Sequence, residues 1–250
     1  VSSEPSAFVI GTAGHIDHGK TSLVAALTGT NLDQQPEEQR RGITIALGFT
    51  PLQLPSGRKA SFVDVPGHEK LVRTMIAGAT GFDSVVLCIS ALESVMPQTR
   101  EHLSILNLLG VAQGIIAITM CDLADADDLE LIELELEELV AGTFLEGAPI
   151  IHTAAGEQPQ GIEELKEAID QLPNATMAET GPFRLPIDRA FTQKGFGVVV
   201  TGTSRDGSVS VGDNLMVMPE EIATKARSIQ VHGEPTNSAG PNLRVAINLQ

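Results

Sequence analysis

No stretch of this 250-residue sequence approaches the ~18 consecutive apolar residues that a membrane-spanning helix needs. The first residues, VSSEPSAFVIG, also lack the basic start and long apolar core of a secretory leader, so a cytoplasmic protein with no membrane partner is expected. Cysteine is scarce. Cys88 and Cys121 both sit inside apolar runs, where small buried hydrophobes are expected rather than a disulfide or a metal pair. Bases are scarce as well, with 16 Lys plus Arg against 32 Asp plus Glu and a net charge of -16. The shortage is local: residues 1–175 hold 25 acids and 9 bases, whereas residues 176–250 hold 7 of each. Such a chain does not grip nucleic acid through a broad positive field, so DNA is not an expected partner and any RNA contact has to be local.

What the sequence does contain is enough apolar residue, 42%, to build one large core or two ordinary ones. Nine acids lie between Asp122 and Glu138 without a base among them. Leu129, Ile132, Leu136 and Leu139 recur among them at helical spacing, so these acids read as the wet face of an amphipathic helix. From Ala7 to Leu172, short apolar runs alternate with helical patterns. The runs AFVIGTA, ITIALGFTPLQL, KASFVDV, SVVLCIS, GIIAIT and APIIHT are expected strands, with helices near 20–29, 69–80, 98–109, 127–140 and 161–171. That rhythm predicts an α/β domain over residues 1–175, a mostly parallel sheet with helices on both faces. A polar, breaker-rich stretch at 176–182 reads as a linker. Over residues 183–250, FRLPIDRAF, GFGVVVTGTS, NLMVMP, ARSIQVHG and LRVAINL, separated by glycine turns, predict a small β-barrel domain.

GHIDHGKT, Gly14 to Thr21, fits the phosphate-binding loop pattern and falls between an expected strand and an expected helix. Gly14 and Gly19 let backbone N–H groups converge on phosphate oxygens, Lys20 reaches the outer phosphates, and the Thr21 hydroxyl suits Mg²⁺. DVPGHE places Asp64 at a strand end, from which a carboxylate can hold Mg²⁺ through water and the Gly67 N–H can meet the γ-phosphate. Alone, Asp-x-Pro-Gly is an ordinary turn. In RRGITI, Thr44 can add a second hydroxyl to the metal from a mobile loop; alone, it would read as a β-branched strand residue. The order and spacing of the three favour the phosphate and metal reading. In TMCD, the Asp122 carboxylate can accept from guanine N1–H and the 2-amino group together, whereas adenine offers an acceptor there.

Gly14 to Thr21, Gly42 to Thr44, Asp64 to Glu69 and Asp122 together resemble the GTPase domain of translation factors related to elongation factor Tu. The longer segments PEEQRRGITIALGF, FVDVPGHEKLVRTMIAGATGFD, VMPQTREHLSILNLLGV and LPIDRAFTQKGFGVVVTGT are similar to one branch, the selenocysteine-specific elongation factors, over nearly the whole chain. The resemblance implies GTP and GDP as ligands, Mg²⁺ as cofactor, and ribosome-stimulated hydrolysis coupled to delivery of selenocysteinyl-tRNA. It places the nucleotide against Gly14, His15, Ile16, Asp17, His18, Gly19, Lys20, Thr21 and Ser22, with Gly67, Thr119, Met120 and Asp122. The backbone of Thr153, Ala154 and Ala155 is implied to meet the guanine carbonyl, and Thr21, Thr44 and Asp64 the metal. His68 corresponds to the group that orients the attacking water, behind an apolar gate of Ile16 and Ile43. Asp188, Arg189 and Arg244 match the pocket for the aminoacyl end of the tRNA, where guanidinium groups suit an anionic selenol. Taken without the resemblance, IDRAF would read as an exposed strand charge pair.

Met120 departs from that pattern, which has lysine there. Methionine keeps an apolar contact of similar length and drops the ammonium, so guanine reading is expected to survive with lower affinity. The departure leaves open a regulatory paralogue acting as a nucleotide-gated binding module, and a general aminoacyl-tRNA carrier is a further alternative. The family's second barrel and winged-helix region have no counterpart in the 250 residues, so a fragment and a short paralogue also stay open.

Overall fold

FVIGTA, the first strand β1 (Phe8–Ala13), is buried at every position, which is why it reads as an unbroken apolar run rather than an alternating one. In the computed structural model, which describes residues 8–32, 36–41, 43–173, 181–193, 197–231 and 233–250, five further strands join it. They are β2 (Gly48–Gln53), β3 (Lys59–Asp64), β4 (Ser84–Ser90), β5 (Gly114–Thr119) and β6 (Ile150–His152), in the sheet order β2-β3-β1-β4-β5-β6. The pairs β1–β4, β4–β5 and β5–β6 are parallel, and β2–β3 is an antiparallel hairpin. Parallel neighbours need crossovers, and helices supply them. The helices are α1 (Lys20–Thr28), α2 (Pro36–Arg41), α3 (Val72–Ala79), α4 (Pro97–Leu108), α5 (Ala126–Val140) and α6 (Ile162–Gln171).

Val9, Leu87, Ile89, Ile116 and Ile118 from the sheet pack with Met75, Leu106 and Leu136 from helices in one core. Each such side chain contributes about 1.5–3 kcal/mol by leaving water. Asp125 caps α5 by accepting from the Asp128 N–H at 2.9 Å. Along α5, Ile132, Leu136 and Val140 are buried, with Leu129 and Leu139 half-buried against the core, so the expected acidic face is the solvent face. Both cysteines are free thiols. Burial pushes Cys88 up to about 12 and makes it inert.

Val9–Asn174 and Ala175–Gln250, the latter with the first eight residues, form two compact units. The second is antiparallel. It contains β7 (Ile187–Gln193), β8 (Gly197–Thr203), β9 (Val209–Ser210), β10 (Asn214–Val217), β11 (Ile222–Val231), β12 (Glu234–Thr236), β13 (Ser238–Ala239) and β14 (Arg244–Leu249). The order β10-β11-β14-β8-β7, with β12 beside β11 and a separate β9–β13 ribbon, makes a half-barrel over Val200, Val209, Ala226, Ile229, Val245 and Ile247.

Three sequence expectations change. The strand predicted from Ile43 begins only at Gly48, because the carboxylate of Glu38 takes the N–H groups of Ile45 and Ala46 that a strand would need. Helix α2 was not expected at all. Glu69–Leu71 is a 3-10 turn ahead of α3, not the start of an α-helix. Gly42 and residues 176–180 of the expected linker lie outside the described residues.

Candidate functional site

The loop after β1 is held from beneath. Gly14 has φ +130°, and a Cβ there would collide with the Cys88 carbonyl. Its N–H donates to His102 Nδ1 on α4 at 3.1 Å. His18, buried within the loop, sits 3.3 Å from the Cys88 carbonyl through Nδ1 and 3.4 Å from Glu93 through Nε2. Burial lowers the pKa of both His18 and His102 to about 4, so both are neutral near pH 7. Gly19, left-handed at φ 68°, turns the chain into α1 without a side-chain cap. An uncapped helix start facing a cleft suits an anion.

Lys20 is buried, and its Nζ donates to the His15 carbonyl at 2.5 Å. Burial lowers its pKa, and Asp64 opposes the shift. A Cβ on Gly67 would strike that ammonium and the Ile16 N–H, which fixes glycine at position 67. Thr21 Oγ1 donates to Asp64 Oδ2 at 2.6 Å and lies 2.8 Å from Thr44 Oγ1. Thr12 donates to the other Asp64 oxygen at 2.7 Å and accepts from the Val65 N–H at 3.1 Å. Two hydroxyls and a carboxylate from three separate segments therefore converge. Hard oxygen donors of this kind match Mg²⁺ in chemistry.

One cleft is lined by Ile16, Asp17, Gly19 and Lys20, by Thr21 and Ser22, and by Ile43, Thr44, Gly67, His68 and Met120. Asp17 holds a left-handed backbone at φ 63°. The two isoleucines and His68 are thus brought to one opening. His68 Nδ1 accepts the Lys70 N–H at 3.2 Å and caps the 3-10 turn. With Nδ1 accepting, the ring of a neutral His68 carries its proton on Nε2.

At the end of β5, Thr119 Oγ1 is 3.1 Å from the His18 carbonyl and 3.2 Å from that of Ile89, tying the strand end to the loop. Met120 is left-handed at φ 60°. Its Sδ accepts from Ser90 Oγ at 3.6 Å, and its Cε lies 3.6 Å from where a Gly19 Cβ would stand. Asp122 is exposed in the turn Cys121–Leu123, and its Oδ2 is 3.8 Å from the Cβ position of Gly156. The loop expected to offer N–H groups to guanine is partly engaged already. Thr153 N donates to Ile118 O on β5 at 2.7 Å, and Ala154 N donates to Gln160 O at 3.0 Å across an isolated antiparallel bridge. Among the described residues this narrows the expected donors of that loop to Ala155.

In the second unit, Arg244 makes a bidentate pair with Asp188, using Nη1 to Oδ2 and Nη2 to Oδ1 at 2.8 Å, and Nη2 reaches Thr201 Oγ1 at 3.1 Å. The register of β7 shifts between Ile187 and Arg189, so a β-bulge falls at Asp188. Arg189 is exposed on the same strand. The exposed strand pair that IDRAF suggests in isolation is wrong for Asp188, whose side chain is 6% exposed. Sequence reasoning missed His102, Thr12, Ser90 and Glu38. A histidine or threonine in an apolar run looks like filler, and nothing in the sequence pairs residues 88 or 7 positions apart.

The Elongation factor Tu GTP binding domain model matches residues 6–174. A selenocysteine-specific elongation factor from Desulfomicrobium baculatum is 49% identical over 96% of this chain, which spans 38% of that relative's length. The crystal structure of a bacterial selenocysteine-specific elongation factor, EF-Sec, has a TM-score of 0.90 at 34% identity, covering 98% of this chain and 42% of that one. The translation elongation factor SelB of Methanococcus maripaludis in complex with the GTP analogue GppNHp gives 0.85 at 32% identity, covering 99% of this chain and 52% of that one. The chain belongs to the family of the elongation factor Tu GTP binding domain.

Proposed function

We propose that this chain is the GTP-hydrolysing part, with an adjoining barrel, of a factor that carries selenocysteinyl-tRNA to the ribosome. The observation that carries the nucleotide reading is the convergence of Thr21, Thr44 and Asp64 beside a buried Lys20. Lys20 leaves the His15 carbonyl to neutralise phosphate, and the Gly67 N–H adds a donor. Mg²⁺, held by Thr21 and Thr44 with Asp64 behind them, would neutralise charge on the outer phosphates. His68, with Nδ1 occupied by the Lys70 N–H, offers Nε2–H to the attacking water, orienting it rather than taking its proton. Asp122 reads guanine, with Ala155 N–H as the donor to the carbonyl. In the barrel, Arg189 and the Asp188–Arg244 pair form the aminoacyl pocket, and the selenocysteine-specific relatives support selenocysteine as its occupant. The setting is the cytoplasm; no helix among the described residues is long and apolar enough to cross a membrane.

The test is a competition titration with Mg²⁺ present. GTP and GDP should displace a labelled guanine nucleotide while ATP does not, and Lys20→Ala should bind none of them. Displacement by ATP at the same concentration would remove the guanine assignment. Retention of nucleotide by Lys20→Ala would remove the phosphate assignment.

A further inference from the structure

Among the described side chains of helix α2, one ion pair faces solvent and one acid is buried. Arg40 pairs with Glu37 at 2.9 Å on the exposed side. Glu38, 3% exposed, turns inward instead. Its Oε1 accepts from the N–H of Ile45 and of Ala46, each at 3.1 Å. A buried carboxylate is costly unless hydrogen bonds satisfy it, and bonds to an ionised acceptor are the strong kind. The two donors follow Thr44 directly in the chain. The Thr44 hydroxyl in turn lies 2.8 Å from Thr21 Oγ1, which is bonded to Asp64.

We propose that Glu38 is the positioning residue for Thr44: its carboxylate clamps the backbone at 45 and 46 and so holds the Thr44 hydroxyl toward Thr21 and Asp64. The inference rests on the proposed role of Thr44 toward metal and the outer phosphate. A clamp of this kind stabilises the triphosphate state selectively, because GDP has no γ-phosphate for the Thr44 loop to close on. The carboxylate also replaces strand pairing for residues 45 and 46, which is why the segment is a loop that can be held or released. No charge is needed for the clamp itself, since an amide oxygen can accept the same two N–H groups.

The experiment measures dissociation constants of GppNHp and GDP, with Mg²⁺, for the full chain and for Glu38→Ala, Glu38→Gln, Thr44→Ala and the Glu38→Ala/Thr44→Ala double variant. Glu38→Ala should weaken GppNHp about tenfold and leave GDP within twofold, whereas Glu38→Gln should keep GppNHp within about threefold. The double variant should lose no more than Thr44→Ala alone, since Glu38 acts through Thr44. Equal losses for both nucleotides in Glu38→Ala, or additive losses in the double variant, would overturn the assignment while leaving Thr44 in its role. An unchanged nucleotide ratio in Thr44→Ala would overturn both. Glu38→Gln is the variant that keeps the fold, and a GppNHp loss in it equal to that of Glu38→Ala would also overturn the clamp.

Discussion

Met120 stands where the pattern implied by the resemblance has lysine, and two contacts in the structure bear on what a lysine there would add. The Thr119 hydroxyl already holds the His18 carbonyl, so the tie between strand end and phosphate loop exists without an ammonium. The Met120 methyl lies against Gly19, an apolar contact that a lysine stem would only replace. Restoring lysine therefore has less to gain than sequence alone implies. Met120→Lys should tighten GTP and GDP equally, by at most about 1.5 kcal/mol or roughly tenfold, and leave their ratio unchanged. Isothermal titration is the suitable measurement, because the chain has no tryptophan or tyrosine to report binding. Weaker binding in the lysine variant would mean that the pocket has repacked around the thioether and buries the ammonium unpaired. The residues proposed to meet phosphate were legible in the sequence because glycine spacing and a terminal Lys-Thr encode a backbone shape. The partners that fix that shape were not. His102 meets Gly14, and Thr12 meets Asp64, only after strands β1, β3 and β4 have aligned.

Helix α4 and strand β7 each carry a polar group whose burial governs stability. His102 on α4 and His18 in the loop after β1 are held neutral, with pKa lowered to about 4 from an unfolded value near 6.5. The unfolded chain therefore binds more protons than the folded one between those values. Unfolding free energy should fall as pH drops from about 7 through 6.5 toward 4, with a slope approaching two protons. Urea unfolding followed by circular dichroism at pH 7 and pH 5 checks this, and His102→Gln should lose about half the slope. A slope unaltered by that substitution would rule out His102 as a contributor. On β7, the bulge at Asp188 aims its carboxylate at Arg244, and the two side chains are 6% and 13% exposed. Arg244→Ala leaves that carboxylate without its cation and should destabilise the barrel unit by about 3–5 kcal/mol, whereas replacing both residues by apolar ones should recover most of the loss. Denaturant midpoints decide it. No recovery in the double variant would mean that the bulge itself needs the pair. The α/β rhythm was readable because buried parallel strands are continuous apolar runs. The bulge was not, since one extra residue in a strand leaves no mark on composition.

The two units differ in chemistry as well as in architecture. Every residue proposed to meet nucleotide or metal lies between Gly14 and Ala155, within Val9–Asn174, whereas the proposed aminoacyl pocket lies wholly in the second unit. Among the described residues, the core cluster that includes Val9 and Leu145 and the one that includes Val200 and Ile247 have no residue in common. Charge divides the same way: residues 176–250 carry 7 acids and 7 bases, so their removal leaves the net charge of -16 on the first 175 residues unchanged. The net charge that an anionic ligand meets at long range should then stay the same when the barrel is removed. Residues 1–175 alone should fold cooperatively and bind GDP within about threefold of the whole chain, a difference below about 0.7 kcal/mol. The size of the first unit, with its own six-stranded sheet, is sufficient for an independent core. Calorimetric unfolding of the two chains gives the first half of the test and GDP titration the second. A tenfold or larger loss of GDP affinity with folding intact would show that residues 176–250 contribute to nucleotide binding, and the independence of the first unit would fall.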